Sequence, residues 1–142
     1  MNSLLQCLSN FTIPSQYFIG NKFEKDLNRR SETNGEIAAE FAEVIRNLWS
    51  GQYKSIAPYD FKRTIGKYCD MFSGRDQQDA HELLLILMEF LHQDVNLVRE
   101  KVRIPEQNNE NINELDAAKN AWAMEKKADE SFIRETFYGQ QR

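Results

Sequence analysis

Asp76-Gln77-Gln78-Asp79-Ala80-His81-Glu82-Leu83-Leu84-Leu85-Ile86-Leu87-Met88-Glu89-Phe90-Leu91-His92 is the stretch whose reading decides the fold. Its apolar residues Ala80, Leu83, Leu84, Ile86, Leu87, Met88, Phe90 and Leu91 cover most of the circumference of a helix spanning Gln77 to His92. A helix apolar on so many sides belongs at the centre of a bundle. Asp76 is placed to cap it, and Ser73-Gly74 reads as the turn before it.

Working outward, Pro58 suits the first position of a preceding helix, where its missing N–H is no loss; Phe61, Ile65 and Tyr68 continue that helix to Gly66 or shortly after. Between Gly35 and Trp49, the residues Ile37, Ala38, Phe41, Val44, Ile45, Leu48 and Trp49 follow the three-and-four spacing of a buried stripe. Thr33 and Glu36 can form a capping box at its start, and Gly51 can supply a left-handed stop. The charged stretch Asn21 to Glu32 reads as a surface loop. Ser3 to Leu8 forms a short helix with Leu4, Leu5 and Leu8 on one side, fading before Pro14; a helix starting so near the terminus is unusual for an independent domain.

On the carboxyl side, Pro105 to Asn113 reads as a linker rich in Asn, Glu and Gln. Glu114 to Lys127 forms a peripheral amphipathic helix with Leu115, Ala118 and Trp122 on one face. Ser131 to Thr136 forms a last short helix leading into Phe137-Tyr138-Gly139. The chain reads as one mainly α domain without internal repeats, since its 142 residues, 41% hydrophobic and 11% aromatic, suffice for a single core.

A net charge of −4 argues against a nucleic-acid or anionic-membrane surface, which needs clustered Lys and Arg, so the expected partner is a protein or small molecule. No apolar run approaches the roughly 20 residues needed to cross a bilayer, and no signal-peptide pattern stands at the amino end. Cys7 and Cys69 have no paired spacing, so neither a disulfide nor a metal site is expected, and a reducing, cytoplasmic setting fits.

Only Cys7, Cys69, His81 and His92 could form a thiolate–imidazolium pair. Neither cysteine has a helix-start or electropositive setting in sequence, and both read as small buried side chains. The helix opening is more informative. Its acidic residues can simply complement the helix dipole. Alternatively, Asp79 and Glu82, three apart and so on one face, can clamp a cation such as arginine.

Three motifs in order resemble the ubiquitin-specific proteases. Met1-Asn2-Ser3-Leu4-Leu5-Gln6-Cys7-Leu8 resembles the stretch just after the family's nucleophile, Gln77-Gln78-Asp79-Ala80-His81-Glu82-Leu83 its second signature, and Phe137-Tyr138-Gly139-Gln140 its Phe-x-Gly box. Leu48 to Tyr53 and Asp60 to Lys67 look closest to the endosome-associated member that carries a rhodanese-like domain.

The resemblance implies a papain-like cysteine protease fold, of which residues 1–142 supply the helical thumb and leave the domain incomplete. The catalytic cysteine would fall two residues before Met1 and the catalytic histidine beyond Arg142, so the chain alone is expected to be inactive. In such enzymes the thiolate attacks the carbonyl after ubiquitin's terminal Gly-Gly, and water hydrolyses the acyl-enzyme, with no cofactor. Ubiquitin and ubiquitinated proteins are the implied partners. Ubiquitin's tail carries two arginines, so the resemblance assigns Asp79 and Glu82 to substrate contact, with Gln77 and Gln78 as supporting hydrogen-bonders. His81 is expected at the surface or in packing, and Phe137 as a core anchor. The rival reading is a noncatalytic helical module that binds ubiquitin or another protein without cutting it.

Overall fold

The computed structural model describes residues 1–100 and 113–139. Along the chain lie α1 (Asn2–Ser9), α2 (Thr12–Ile19), α3 (Phe23–Asp26), α4 (Glu36–Trp49), α5 (Tyr59–Tyr68), a 3-10 turn (Asp70–Phe72), α6 (Ala80–Asp94), α7 (Glu114–Ala128) and α8 (Phe132–Phe137). Among the described residues there is no strand, only an isolated bridge between Asn96 and Ser131. The expected mainly α architecture stands. Gln140 and most of the Pro105–Asn113 linker lie outside the described residues, and Asn113 is the N-cap of α7.

The hub of the bundle is α4. Of its expected stripe Ile37, Ala38, Phe41, Val44 and Ile45 are buried, while Leu48 is half-buried and Trp49, at the last helical position, is 58% exposed; the helix packs against α1, α2, α5 and α6. The Leu-rich α6 was expected to be surrounded; it is instead flanked by α4 and α8, with Leu83, Leu87, Met88, Phe90 and Leu91 inward while Leu85 stays 57% exposed. Ala80 is exposed and Leu84 and Ile86 are half-buried, so the apolar circumference is wider than the buried face. Phe18 of α2 meets Phe41 edge-on with centroids 5.0 Å apart, and Tyr17 stacks on Phe132 of α8 at 3.9 Å.

Two elements depart from the sequence reading. Residues 12–19 form a helix in spite of Pro14, because Pro14 falls within the first turn, where backbone N–H groups have no intrahelical acceptor. Within the expected surface loop Asn21–Glu32, α3 forms and buries Phe23.

The start of α4 is also built differently from the expected capping box. Gly35 is the N-cap residue, with φ of 81°, and no side chain within the segment caps the helix. The acceptor comes from the far end of α6. The fully buried Asp94 carboxylate accepts four hydrogen bonds, from Ser31 Oγ, Thr33 Oγ1, the Gly35 N–H at 3.1 Å and the Ala38 N–H at 3.0 Å. Its own carbonyl accepts the Asn28 N–H at 2.7 Å. Thr33 thus donates to Asp94 instead of capping, and a negative charge sits where the helix dipole favours it. Glu36 is held by Lys67 Nζ at 2.8 and 3.0 Å, a hydrogen bond that keeps its carboxyl below the ordinary range. A side chain at Gly35 would be strained by the left-handed φ, and its Cβ, 2.5 Å from Leu27 Cδ2, would require that leucine to move. At the other end of α4, Gly51 does adopt the expected left-handed stop, with φ of 68°.

The C-terminal end of α6 is fixed a second time, to α8. His92 is 5% exposed, and its Nδ1 lies 2.6 Å from Ser131 Oγ while its Nε2 lies 2.8 Å from Asp129 Oδ2. Asn96 bonds the same Asp129 carboxylate, and the Leu97 N–H donates to the Glu130 carbonyl at 2.8 Å. Ser131 caps α8 by accepting the Arg134 N–H at 3.0 Å. By contrast α7 buries no residue, and Leu115 is 61% exposed, in keeping with a peripheral helix.

Two stability outcomes follow from this packing. Asp94→Ala strips several buried donors of their acceptor and is expected to destabilise the chain by about 3–5 kcal/mol, read as a lower urea midpoint at unchanged slope. A loss under about 1 kcal/mol would mean that water replaces the carboxylate. Leu87→Ala, at a fully buried site, is expected to cost about 2–5 kcal/mol, and Leu84→Ala, half-buried, clearly less; equal losses would place both residues in one environment.

Candidate functional site

The N-terminal ends of α1 and α6 converge on one open groove of about 560 Å³. One wall is Met1, Asn2 and Ser3; the facing wall is Gln77, Gln78 and Asp79. Pro58, Tyr59 and Lys62 close the side, and Phe72 and Leu83 lie at its apolar base. Met1 is the N-cap of α1 and gives it no side-chain hydrogen bond, so no cap answers the first-turn N–H groups at this end.

The loop before α6 is positioned by α5. Phe72 is buried and fixes the loop's beginning. Gly66 lets Ser73 approach so closely that a Cβ on the glycine would meet Ser73 Cα at 2.9 Å. One turn earlier, Lys62 Nζ donates to the Gly74 carbonyl at 2.7 Å. Held this way, the backbone through Gln78 stays non-helical and α6 begins at Ala80 rather than Gln77. Asp79, not Asp76, is the N-cap. Its Oδ1 accepts the His81 N–H at 2.7 Å, and its carbonyl accepts the Leu83 N–H at 3.1 Å.

Gln77, Gln78 and Asp79 thus share the groove and are exposed. Glu82 is exposed in the first turn of α6 but is not among the groove-lining residues. His81 is exposed as expected, and Phe137 is half-buried, its ring 5.9 Å from Phe11. Sequence reasoning missed Tyr59 and Lys62 as groove residues; the signal available was their one-turn proximity to Pro58 and Gly66.

The two cysteines depart from expectation. Cys7 is exposed and Cys69 half-buried, although both were expected to be small buried side chains; α1 turns Leu5 and Leu8 inward and leaves Cys7 on its outer face. Among the described residues neither is hydrogen-bonded to a histidine, since His92 is engaged by Ser131 and Asp129. The Ser131–His92–Asp129 chain has the connectivity of a hydrolase triad but not its function. Ser131 is 1% exposed and its oxygen serves as the α8 cap, so no substrate carbonyl can reach it. Arg134 completes a closed network by pairing with Asp129 at 3.2 Å and with Glu125.

Residues 1–142 match the ubiquitin carboxyl-terminal hydrolase family over their whole length. The chain belongs to this family. It is 38% identical over 141 residues to ubiquitin carboxyl-terminal hydrolase 15 of Xenopus tropicalis and to ubiquitin carboxyl-terminal hydrolase 4 of Mus musculus, with 98% of the chain covered in each case. It spans 14% and 15% of the lengths of those two relatives. The α1–α6 groove therefore belongs to a family segment much shorter than its relatives.

Because neither cysteine is paired with a histidine, the 142-residue chain by itself is expected not to react with a ubiquitin-based electrophilic probe. Mass spectrometry of the probe reaction checks this; labelling of Cys7 or Cys69 faster than in a denatured control would show a dyad that the geometry does not contain.

Proposed function

We propose that this chain is the thumb segment of the catalytic domain of a deubiquitinating cysteine protease, starting just after the nucleophile and ending at the Phe-x-Gly box. The whole enzyme hydrolyses the bond after ubiquitin's terminal Gly-Gly, and its partners are ubiquitin and ubiquitinated proteins. The observation that carries the reading is the groove that places the start of α1 opposite the cap of α6. A cysteine entering α1 from its N-terminal side would lie in the positive end of the helix dipole, which favours thiolate.

The opposite wall suits a cationic tail. A carboxylate offers about four lone-pair sites, so the single bond from Asp79 to the His81 N–H leaves capacity for a guanidinium. Capping and recognition are therefore compatible in one side chain. Glu82 lies outside the groove lining and acts from its rim, while Gln77 and Gln78 supply amide donors and acceptors to the tail backbone. Among the described residues no helix is long and apolar enough to cross a membrane. We place the enzyme in the cytoplasm, with endosomal association depending on regions outside this segment; the endosome-associated subtype rests on Leu48–Tyr53 and Asp60–Lys67 alone.

The test uses the complete catalytic domain. Asn caps a helix about as well as Asp, so Asp79→Asn is expected to leave stability nearly unchanged. Losing a charge-assisted hydrogen bond of roughly 1.5–3 kcal/mol is expected to lower kcat/KM for ubiquitin substrates about 10- to 150-fold, and Glu82→Gln is expected to act in the same direction. A ubiquitin with its tail arginines changed to glutamine should lose rate with the native enzyme but little more with the double variant. Normal cleavage by both variants would reduce Asp79 and Glu82 to helix-end residues.

A further inference from the structure

A second groove of about 510 Å³ runs along the outer side of α5, and among the described residues no acidic side chain lines it. Tyr59, Arg63 and Lys67 follow one another at four-residue intervals on α5, with Lys62 beside them. Arg75, from the loop before α6, stands on the other wall. The floor is open because the residue between Arg63 and Lys67 on this face is Gly66, whose missing side chain also admits the Ser73 backbone. Four cations gathered around one channel are notable in a chain whose net charge is −4.

The neighbouring acids do not close the channel. Arg63 pairs with Asp60 at 2.7 Å and Lys67 with Glu36 at 2.8 Å, but both acids lie outside the groove lining and both pairs are largely exposed. Such surface pairs contribute little and exchange partners readily. Lys62 is tied to a neutral acceptor, the Gly74 carbonyl, and also lines the tail groove with Asp76 and Asp79.

Spacing identifies the ligand. Residues four apart on a helix are separated by about 6 Å along its axis, while alternate residues of an extended strand are about 6.4–6.8 Å apart. Carboxylates on every second residue of an extended peptide therefore meet Arg63 and Lys67 in turn, with Lys62 and Arg75 on either side. Lys62, Arg63 and Lys67 span about 7.5 Å along the axis, roughly one and a half turns, with Arg75 on the other wall, a spread that a segment carrying several carboxylates engages more completely than a single inorganic phosphate does. We propose that this groove binds an extended acidic segment of a protein partner, with acidic residues alternating along it. Tyr59, 78% exposed, offers its ring to the end of that segment, and it also lines the tail groove, so the two sites adjoin.

The test is fluorescence anisotropy at low ionic strength with a labelled peptide of alternating Glu and Ala and the complete catalytic domain that contains this chain. Saturable binding is expected, weakened at least about tenfold in Arg63→Glu/Arg75→Glu, as for loss of complementary charge. That variant should also gain binding to a peptide of alternating Lys and Ala. A charge-matched control, Lys119→Glu/Lys127→Glu on α7, should show neither change. Asp79→Asn/Glu82→Gln should bind the acidic peptide like the native domain, so failure of the tail assignment leaves this result readable. Absence of saturable binding by the native domain, an equal loss in the α7 control, or displacement of the peptide by equimolar inorganic phosphate would overturn the proposal.

Discussion

The carboxylate of Asp94 joins the two helices that organise the rest. It sits at the last turn of α6 and receives the Ser31, Thr33, Gly35 and Ala38 donors at the start of α4, so one side chain sets where α4 begins and how it meets α6. Because α4 also packs against α1, α2 and α5, the placement of three further helices depends on that junction. A buried carboxylate is tolerable only when its acceptor sites are filled, and here hydroxyl and backbone donors fill them without any cation.

The two ends of α6 are held by different means. At its C-terminal end Asp94 and His92 bind two separate parts of the chain through buried polar contacts. At its N-terminal end the neighbouring loop rests on α5 through a glycine contact and one lysine hydrogen bond, both near the surface. The groove assigned to the ubiquitin tail lies at this second end, and the basic channel of α5 lies on the other side of the same loop.

Much of this was legible in the sequence where the signal is local. The stripe of α4, the run of α6, the Gly51 stop and the Ser131 start of α8 all follow from periodicity and end residues a few positions apart. What escaped was set by distant partners. Thr33 and Glu36 make a plausible capping box on their own, but Asp94, 61 residues from Thr33, competes for the threonine hydroxyl. Asp76 and Asp79 are equally good caps as isolated residues; Asp79 is the one whose carboxylate accepts the His81 N–H, beyond a loop whose start, at Ser73 and Gly74, is held by Gly66 and Lys62. Phe23 gave no periodic signal because a four-residue helix is too short to show one. The family motifs grouped Gln77, Gln78, Asp79 and Glu82; the first three line one groove and Glu82 does not, whereas the presence of Tyr59 and Lys62 in that groove required knowing that α5 runs beside it.

The Gly66–Ser73 contact has a further consequence for how the fold comes apart. It is a van der Waals fit with no adhesive group, and the lysine bond beside it is exposed. Releasing residues 73–78 therefore exposes almost no apolar surface except near Phe72, whereas releasing the other end of α6 uncovers a buried carboxylate and a buried imidazole. Local opening free energies are thus expected to be graded along a single helix, lower at the end held by exposed contacts and higher at the end held by buried ones.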